Sequence, residues 1–309
     1  MKNSKIFVKT LLTSIVSLSF VTSALANSGI PNDNQTRVHM VNNIEVVDIV
    51  NPDDRGFSFN NFKEFNVNEP GMVLNNSVNG TVSQLAGQLN KNSNLSKPAR
   101  VIVSNVTGGN FTQLKGMLEV AGDRAAILIA NPNGIVANGA SFSNTNHVQL
   151  STSTHAIVNK GDPATFQLIG GKVVIGEKGI DSTNVDNLTI ESRAIDLNGM
   201  ITGKTVSLNT NSILAGTGIG NPEISIDTGA LGGIYANKII VKSNEKGTGV
   251  NLSNLTGTES LLAEIRGTAN LSGQFRGDNS LFIFANKLNK ENATFKTNGF
   301  PIVVVEADI

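Results

Sequence analysis

Short runs of alternating apolar and polar residues fill the chain from about residue 165 onward, as at 172–175, 195–197 and 205–208. Clusters of Asn, Gly, Ser and Thr separate these runs. A period of two over three to five residues predicts β-strands, whereas an amphipathic helix needs apolar residues at i, i+3, i+4 and i+7. The pattern therefore predicts an all-β protein with many polar corners.

Similar segments recur about every twenty residues. Leu252 and Leu271 lie 19 residues apart, and Leu188 and Leu208 lie 20 apart. This spacing lies in the range of solenoid repeats, and the regular two-residue loops of hairpins are missing. Between a β-sandwich and a parallel β-helix we therefore favour the β-helix, in which like residues of successive coils stack on one another. Asparagine corners repeated in register would then form ladders.

The strongest turn signal is the tetrad Asn131, Pro132, Asn133 and Gly134, which fits a type I β-turn position by position. It follows an apolar run at 125–130, is continued by Ile135, and precedes a second turn pair, Asn138-Gly139. A strand, a corner, a short strand and another corner within about fifteen residues predict one rung of a β-solenoid. By itself, such a turn only stabilises a coil.

The first 26 residues have the layout of a secretory signal peptide, with three lysines, an apolar run at 11–21 and small residues at Ala24 and Ala26. Cleavage is expected before Asn27, after export by the Sec machinery. The apolar run is short for a bilayer span. Removal of these residues changes 24 basic and 24 acidic groups to 21 and 24, and this weak, scattered charge predicts no nucleic-acid partner.

Composition limits how the fold can be held together. The chain has no cysteine and no tryptophan, one tyrosine and 14 phenylalanines, so aliphatic stacking must form the core. Its 41 asparagines outnumber even the 31 glycines. Both residue types tolerate positive φ, which again indicates many corners per unit length.

The two ends differ from the middle. Phenylalanines at 57, 59, 62 and 65 and a strand-like run at 45–50 indicate an N-terminal β cap over residues 27–75, followed by the β-helix at 76–309. The apolar run at 300–306 has no such cap. An open solenoid end invites aggregation, so we expect the chain to be the N-terminal part of a longer product, or a shortened relative of one.

Candidate catalytic and metal-binding groups are sparse. The three histidines, His39, His147 and His155, have no ligand-type partners at suitable spacing, so no metal site or cofactor is expected. Some β-helix proteins degrade polysaccharides with clustered carboxylates, which makes one acidic series worth weighing: Asp181, Asp186, Glu191 and Asp196, besides the pair Asp53-Asp54. Solvated corners are the preferred interpretation, and a polysaccharide-acting enzyme stays a remote alternative.

Three segments resemble the secretion domain of two-partner secreted proteins, the filamentous haemagglutinin N-terminal domain family. Residues 61–77 resemble its N-terminal signature, residues 106–142 its central block with the Asn-Pro-Asn-Gly-Ile turn, and residues 232–250 a later segment. Their order matches the family. The resemblance implies a right-handed parallel β-helix with extra-helical strands and no enzymatic activity.

Two departures from the family pattern stand out. An earlier Asn-Pro-Asn-Leu turn is replaced by Asn92, Ser93, Asn94 and Leu95, where serine leaves the turn possible without a preset φ. The Cys-x-x-Cys pair of some cytolysin-like members is absent at 136–140. The second departure favours the adhesin and contact-dependent inhibition branches.

The resemblance further implies a partner, an outer-membrane transporter barrel with periplasmic repeat domains, and a Gram-negative route through the periplasm to the cell surface. The expected parent is a haemagglutinin-like adhesin that binds a host or bacterial surface receptor through the rest of its chain. A contact-dependent inhibition toxin and a cytolysin remain alternatives. The turns at 131–135 and 92–95 are the candidate secretion motifs, either as stabilising corners or as sites of transporter recognition.

Overall fold

The computed structural model describes residues 28–155, 166–168, 170–210, 223–244, 248–299 and 301–305. Every regular element in these ranges is a β-strand, and none of the described residues belongs to a helix long and apolar enough to cross a bilayer. The strands are β1 (Gly29–Pro31), β2 (Arg37–Val41), β3 (Ile44–Asp48), β4 (Phe57–Phe65), β5 (Met72–Asn76), β6 (Thr81–Ser83), β7 (Gly87–Leu89), β8 (Val101–Val106), β9 (Thr112–Leu114), β10 (Met117–Gly122), β11 (Ala126–Ala130), β12 (Ile135–Ala137), β13 (Ala140–Ser143), β14 (His147–Ser151), β15 (Ser153–His155), β16 (Phe166–Leu168), β17 (Lys172–Ile175), β18 (Ile180–Ser192), β19 (Ala194–Leu197), β20 (Met200–Thr210), β21 (Ile224–Thr228), β22 (Gly233–Ser243), β23 (Gly249–Gly277), β24 (Ser280–Lys296) and β25 (Ile302–Val305).

Parallel pairings arrange these strands in three faces around one core. The first face runs from β4 through β8, β11, β14, β18, β20, β22, β23 and β24 to β25. The second begins with β3, β5, β10 and β13 and continues through β18, β20, β22 and β23. The third contains β9, β12, β17, β19, β21 and β23. The predicted parallel β-helix is confirmed.

Columns of aliphatic side chains fill the interior. On the first face, stacked partners in successive coils are Ile127, Val148, Leu188, Val206, Ile239, Leu261 and Leu281, each at most 1% exposed. Because each side chain lies above a similar one in the previous coil, a core of this kind needs few large aromatic anchors. The expected aliphatic core is present.

The repeat register differs in one detail from the sequence-based expectation. Leu188 pairs with Val206, and Leu208 pairs with Ile190, so the two leucines 20 residues apart are not stacked partners. Coil length varies along the chain, and equal spacing of similar residues therefore does not identify partners.

An asparagine ladder is present on the third face, which continues into β24 where Asn270 pairs with Asn289, but its members lie within strands and not at the predicted corners. Asn289 donates from Nδ2 to Asn270 Oδ1 at 2.7 Å, and Asn270 donates to Asn251 Oδ1 at 2.9 Å. Asn251 in turn donates to Asp227 Oδ1 at 2.9 Å. The last two steps along the ladder each span 19 residues.

Antiparallel strands form the N-terminal cap and two extra-helical hairpins. Strand β1 pairs antiparallel with the end of β4, and β2 with β3, which itself starts the second face. The hairpins are β6–β7 and β15–β16. The buried Glu119 carboxylate holds the first hairpin by accepting hydrogen bonds from Ser83 Oγ and from the backbone of Gln84 and Leu85. The proposed boundary at 75/76 falls inside β5 and stays a prediction.

Candidate functional site

The Asn131–Gly134 tetrad forms the corner between β11 and β12. The Gly134 backbone N–H donates to Asn131 O at 3.1 Å, which closes a four-residue turn. Asn131 Oδ1 accepts a hydrogen bond from the Asn133 backbone N–H at 2.9 Å. This Asx turn reinforces the corner from inside. Ile135 then enters β12, where it is fully buried.

Asn131 also joins the corner to the preceding coil. Its Nδ2 donates to Asn110 O and to Thr112 Oγ1, both at 3.0 Å, and its side chain is fully buried. Its backbone N–H donates to Ser151 O in the following coil at 2.9 Å. Replacement of this buried amide is costly, since Asn110 O and Thr112 Oγ1 would each lose a hydrogen bond, whereas the backbone bond to Ser151 would remain.

The exposed part of the corner consists of Asn133 and the half-buried Pro132. Asn133 Nδ2 reaches Gly108 O at 2.7 Å and Asn131 Oδ1 at 3.0 Å. Gly134 has a φ of 124°, and a Cβ there would lie 2.8 Å from Lys172 O. Glycine is therefore required by both the backbone conformation and the next coil.

The tetrad from Asn92 to Leu95 has the same pattern of hydrogen bonds, although its fourth residue, unlike Gly134, does not have a positive φ. Leu95 N–H donates to Asn92 O at 3.1 Å, and Asn92 Oδ1 accepts from Asn94 N–H at 3.0 Å. Asn92 is 1% exposed and donates to Ile49 O and Asn75 O, both at 2.9 Å. The exposed Ser93 takes the place of proline without loss of the turn, because the Asn92 side chain fixes the conformation. Leu95 packs against the core.

Two further buried asparagines act in the same way and were not singled out from the sequence. Asn76 donates to Ala99 O and Asp123 O, both at 2.9 Å, and accepts from Ala99 N–H at 2.7 Å. Asn60 donates to Val103 O at 3.2 Å and accepts from Val50 N–H at 2.9 Å. Neither belongs to a turn tetrad of the kind above. Asn76 lies in the segment 61–77 that resembles the family's N-terminal signature, whereas only the high asparagine content pointed to Asn60.

The acidic series does not converge on one site. Asp181 lies on the second face, Glu191 on the first and Asp196 on the third. A hydrogen bond from Lys204, with support from Arg124, lowers the pKa of Asp186, whereas burial raises the pKa of Glu191. The basic partners Arg124, Lys172 and Lys204 come from other coils, so sequence neighbours alone do not reveal them.

The remaining candidates are scattered. His39 Nδ1 lies 3.7 Å from Asp48 Oδ2. Burial lowers the pKa of His147. The side chain of His155 lies outside the described residues. No group of three or more potential metal ligands occurs in the part of the chain that the structure describes. The cleavage-site residues Ala24, Ala26 and Asn27 also lie outside the described residues.

Known proteins share this architecture. The family model of the TPS secretion domain matches residues 23–273. A solved structure of the filamentous haemagglutinin secretion domain superposes with a TM-score of 0.81 at 28% identity, and the match covers 90% of this chain and 100% of that one.

Two relatives carry the names of nucleases. The tRNA nuclease CdiA of Yersinia mollaretii is 39% identical over 225 residues, 69% of this chain and 8% of the relative. The 16S rRNA endonuclease CdiA of Enterobacter cloacae is 35% identical over 258 residues, 79% of this chain and 8% of the relative. The chain thus spans less than a tenth of the length of either protein.

A three-faced β-helix with asparagine-clamped corners and a strand cap is the structure of an exoprotein secretion domain. The chain belongs to the TPS, or two-partner secretion, domain family. It is a secretion domain of the kind found in CdiA-like and filamentous haemagglutinin-like exoproteins. Membership implies an outer-membrane transporter as partner and export across the outer membrane.

Proposed function

We propose that this domain starts both the secretion and the folding of a longer exoprotein. The Sec machinery exports the chain, cleavage occurs between Ala26 and Asn27, and periplasmic repeat domains of the outer-membrane barrel recognise the product. The chain then crosses the barrel in an extended form and coils at the cell surface. The observation that carries this proposal is the family match over residues 23–273 on a β-helix whose corners are clamped between coils.

Coil formation supplies a driving force that needs no nucleotide. Each new coil stacks its aliphatic side chains on the previous one, as at Leu261 and Leu281, and removes them from water. A chain segment that has coiled outside the cell must expose this surface again before it can slip back. The first coils therefore act as the folding nucleus in this scheme.

The two turns divide stabilisation and recognition between them in our proposal. Asn92 and Asn131 are 1% and 0% exposed, so a folded domain does not display their amides. Both asparagines therefore hold the coils. Recognition precedes coiling in this scheme, so the transporter reads the second turn, residues 131–135, in the extended chain, and the same residues form the corner afterwards.

The parent protein is proposed to be a haemagglutinin-like adhesin at the surface of a Gram-negative bacterium, binding a receptor on a host or bacterial cell. A contact-dependent inhibition toxin is a second candidate, favoured by the CdiA relatives; a cytolysin is a third. We infer that the nuclease activity in the relatives' names belongs to regions outside the alignment. We also infer that this domain itself catalyses no reaction. The carboxylates on separate faces support that inference.

The test is secretion of this chain from a Gram-negative host with and without the transporter of its own strain. We expect extracellular protein only when the transporter is present. Substitution of Asn131 by alanine should lower the extracellular amount at least tenfold while signal-peptide removal continues. Equal secretion without the transporter would contradict the proposal, and an unchanged yield of N131A would contradict the role of the turn.

A further inference from the structure

The carboxylate of Glu45 on β3 holds the first described residues of the chain. Its Oε1 accepts a hydrogen bond from the Ser28 backbone N–H at 2.7 Å, and its Oε2 accepts from Ser28 Oγ and from the Gly29 backbone N–H. Glu45 is 8% exposed and Ser28 is 7% exposed. In the part of the chain that the structure describes, Glu45 forms no ion pair with a lysine, arginine or histidine. The carboxylate is therefore buried among neutral donors, and no cation balances its charge.

Glu119 forms a matched clamp in the interior of the chain. It is 4% exposed, and its carboxylate accepts hydrogen bonds from Ser83 Oγ at 2.8 Å and from the backbone N–H groups of the next two residues at 2.7 and 2.9 Å. Both clamps thus use one serine hydroxyl and two backbone N–H groups. They differ in their place in the chain, because Ser83 belongs to the β6–β7 hairpin, whereas Ser28 is the second residue after the expected cleavage site at Ala26.

Removal of the signal peptide changes the charge next to Glu45. Because bond lengths limit the step from one backbone nitrogen to the next, the 2.7 Å bond from Ser28 keeps the nitrogen of Asn27 within about 7 Å of Glu45 Oε1. In the uncleaved chain this nitrogen is a neutral amide, and after cleavage between Ala26 and Asn27 it is an ammonium group. A small pocket adjoins the clamp, and Glu45 is the one charged residue among its described lining residues. Cleavage thus places a cation near a carboxylate that lacks one.

We propose that Glu45 is the binding site for the α-ammonium group that cleavage creates, and that the N-terminal cap reaches its full stability only on the cleaved chain. This inference rests on the proposed cleavage before Asn27 and gives that cleavage a role in folding. A cation within a few ångströms of a desolvated carboxylate stabilises the charged forms of both groups. Strand β1 carries this end of the chain and pairs with β4, on which β8 stacks. Removal of the signal peptide therefore strengthens the cap from which the coils continue.

The experiment compares the purified, folded chain that begins at Asn27 with the same chain acetylated selectively at its α-amine. Hydrogen exchange is measured at the Gly29 amide and at the Asn66 amide, which donates to Ser28 O at 2.8 Å. We expect acetylation to lower the protection of both amides about fivefold, because the cap opens more often without the ion pair. In E45Q, acetylation should change protection by less than about twofold. E119Q is the matched control, and in this variant the fivefold effect of acetylation should persist.

Equal protection in the free and acetylated wild-type chains overturns the proposal, and so does a fivefold loss that persists in E45Q. If E45Q leaves the Gly29 amide unprotected even with a free α-amine, the pKa of the wild-type α-amine is measured instead. A pKa above the ordinary range of about 7.7–8.0 supports the ion pair, and a pKa within or below that range overturns it.

N-terminal sequencing of the secreted chain is a further check, since a mature chain that begins anywhere but at Asn27 overturns the inference. Failure of the broader function is distinguishable, because the wild-type chain would then be secreted equally with and without the transporter.

Discussion

The coils near the N-terminus and those near the C-terminus use asparagine in different ways. At the corners around Asn76, Asn92 and Asn131, a buried amide donates to backbone carbonyls of a neighbouring coil. In the later coils, Asn251, Asn270 and Asn289 bond to each other's side chains on a partly exposed face. The buried amides fix the path of the backbone at one particular corner. The ladder amides repeat the same side-chain hydrogen bond from one coil to the next.

The difference corresponds to the regularity of the coils. The N-terminal part carries a cap and an extra-helical hairpin, so its corners need individual clamps. The last coils have nearly constant length, with ladder partners 19 residues apart, and their long strands β23 and β24 pass corners without interruption. The buried asparagine amides specify the structure, because a buried polar group without a hydrogen bond costs free energy. Exposed amides can bond to water instead.

The largest expected effect is the loss of a buried clamp. N92A and N131A should each lower the free energy of unfolding by about 2–4 kcal/mol, because several buried partners lose their hydrogen bonds. N270A in the ladder should cost about 1 kcal/mol or less. Urea unfolding of the three variants makes the comparison. Equal costs in all three would show that burial of the amide does not matter.

Glycines with positive φ give the next largest contrast. A Cβ on Gly134 would lie 2.8 Å from the backbone oxygen of Lys172, whereas on Gly273 it would meet the Asn254 side chain at 2.5 Å. A side chain can move aside and a stacked backbone cannot, so G134A should cost about 2–3 kcal/mol and G273A about 1 kcal/mol. Thermal unfolding measures both.

G109A is the control for this pair, since no atom lies within 4 Å of a Cβ at that position. Its stability should stay within about 0.5 kcal/mol of the wild type. A G134A variant as stable as G109A would refute the close approach between these coils.

The polarity of the ladder allows a compensation test. Asp227 only accepts hydrogen bonds, so Asn251 must direct its Nδ2 towards it, and each later amide follows. N270D places Asn251 between two acceptors and should cost about 1 kcal/mol. In D227N/N270D the Asn251 amide can reverse, and stability should return towards the wild type.

Urea unfolding at low and high salt measures this recovery, because salt screens charge repulsion between the two carboxylates and leaves the hydrogen bonds largely unaffected. Recovery that persists at high salt supports the polarised ladder. A double variant as unstable as the sum of the two single ones would disprove it.

The smallest expected effect is the loss of stability in acid when the Asp33 carboxylate becomes protonated. Burial alone would raise the pKa of Asp33, but hydrogen bonds from the backbones of Thr36, Asn61 and Gln35 outweigh it and lower that pKa. Stabilisation by this carboxylate is therefore complete above its ordinary pKa of 3.8 and is lost as the pH falls through the lowered value. Because Asp33 is only partly buried and solvent screens its charge, we expect an effect of about a few tenths of a kcal/mol.

Hydrogen exchange at acidic and neutral pH can detect it in the cap. Protection of the Thr36 and Asn61 amides should decrease in acid, while amides beside the Asn270–Asn289 step of the ladder, which joins two neutral side chains, keep theirs. D33N should remove the pH dependence of the cap. Equal loss of protection in both regions would contradict the assignment.

Much of the fold was readable from local pattern. Alternation predicted the strands, as at Lys172–Ile175, and the two tetrads predicted corners that the structure contains. The register was not readable, as the pairing of Leu188 with Val206 shows. Excursions such as the β15–β16 hairpin lengthen some coils and not others, so spacing alone cannot assign partners.

The place of the candidate site in the sequence could be predicted, but the burial of its residues and their hydrogen-bond partners could not. The type I pattern identified Asn131 as the first residue of a turn, because turn chemistry is local. Its complete burial and its bonds to Asn110 and Thr112 depend on a coil about twenty residues earlier. The same holds for Asn76, which no turn motif marked.

The sequence by itself determined that the chain forms β-coils, where several of its corners lie and which family it belongs to, because alternation, turn residues and motif order are properties of short segments. Only the tertiary structure decided which asparagines become buried clamps and which form a ladder. These outcomes depend on which coil lies above which, and stacking sets that order through contacts between residues far apart in the chain.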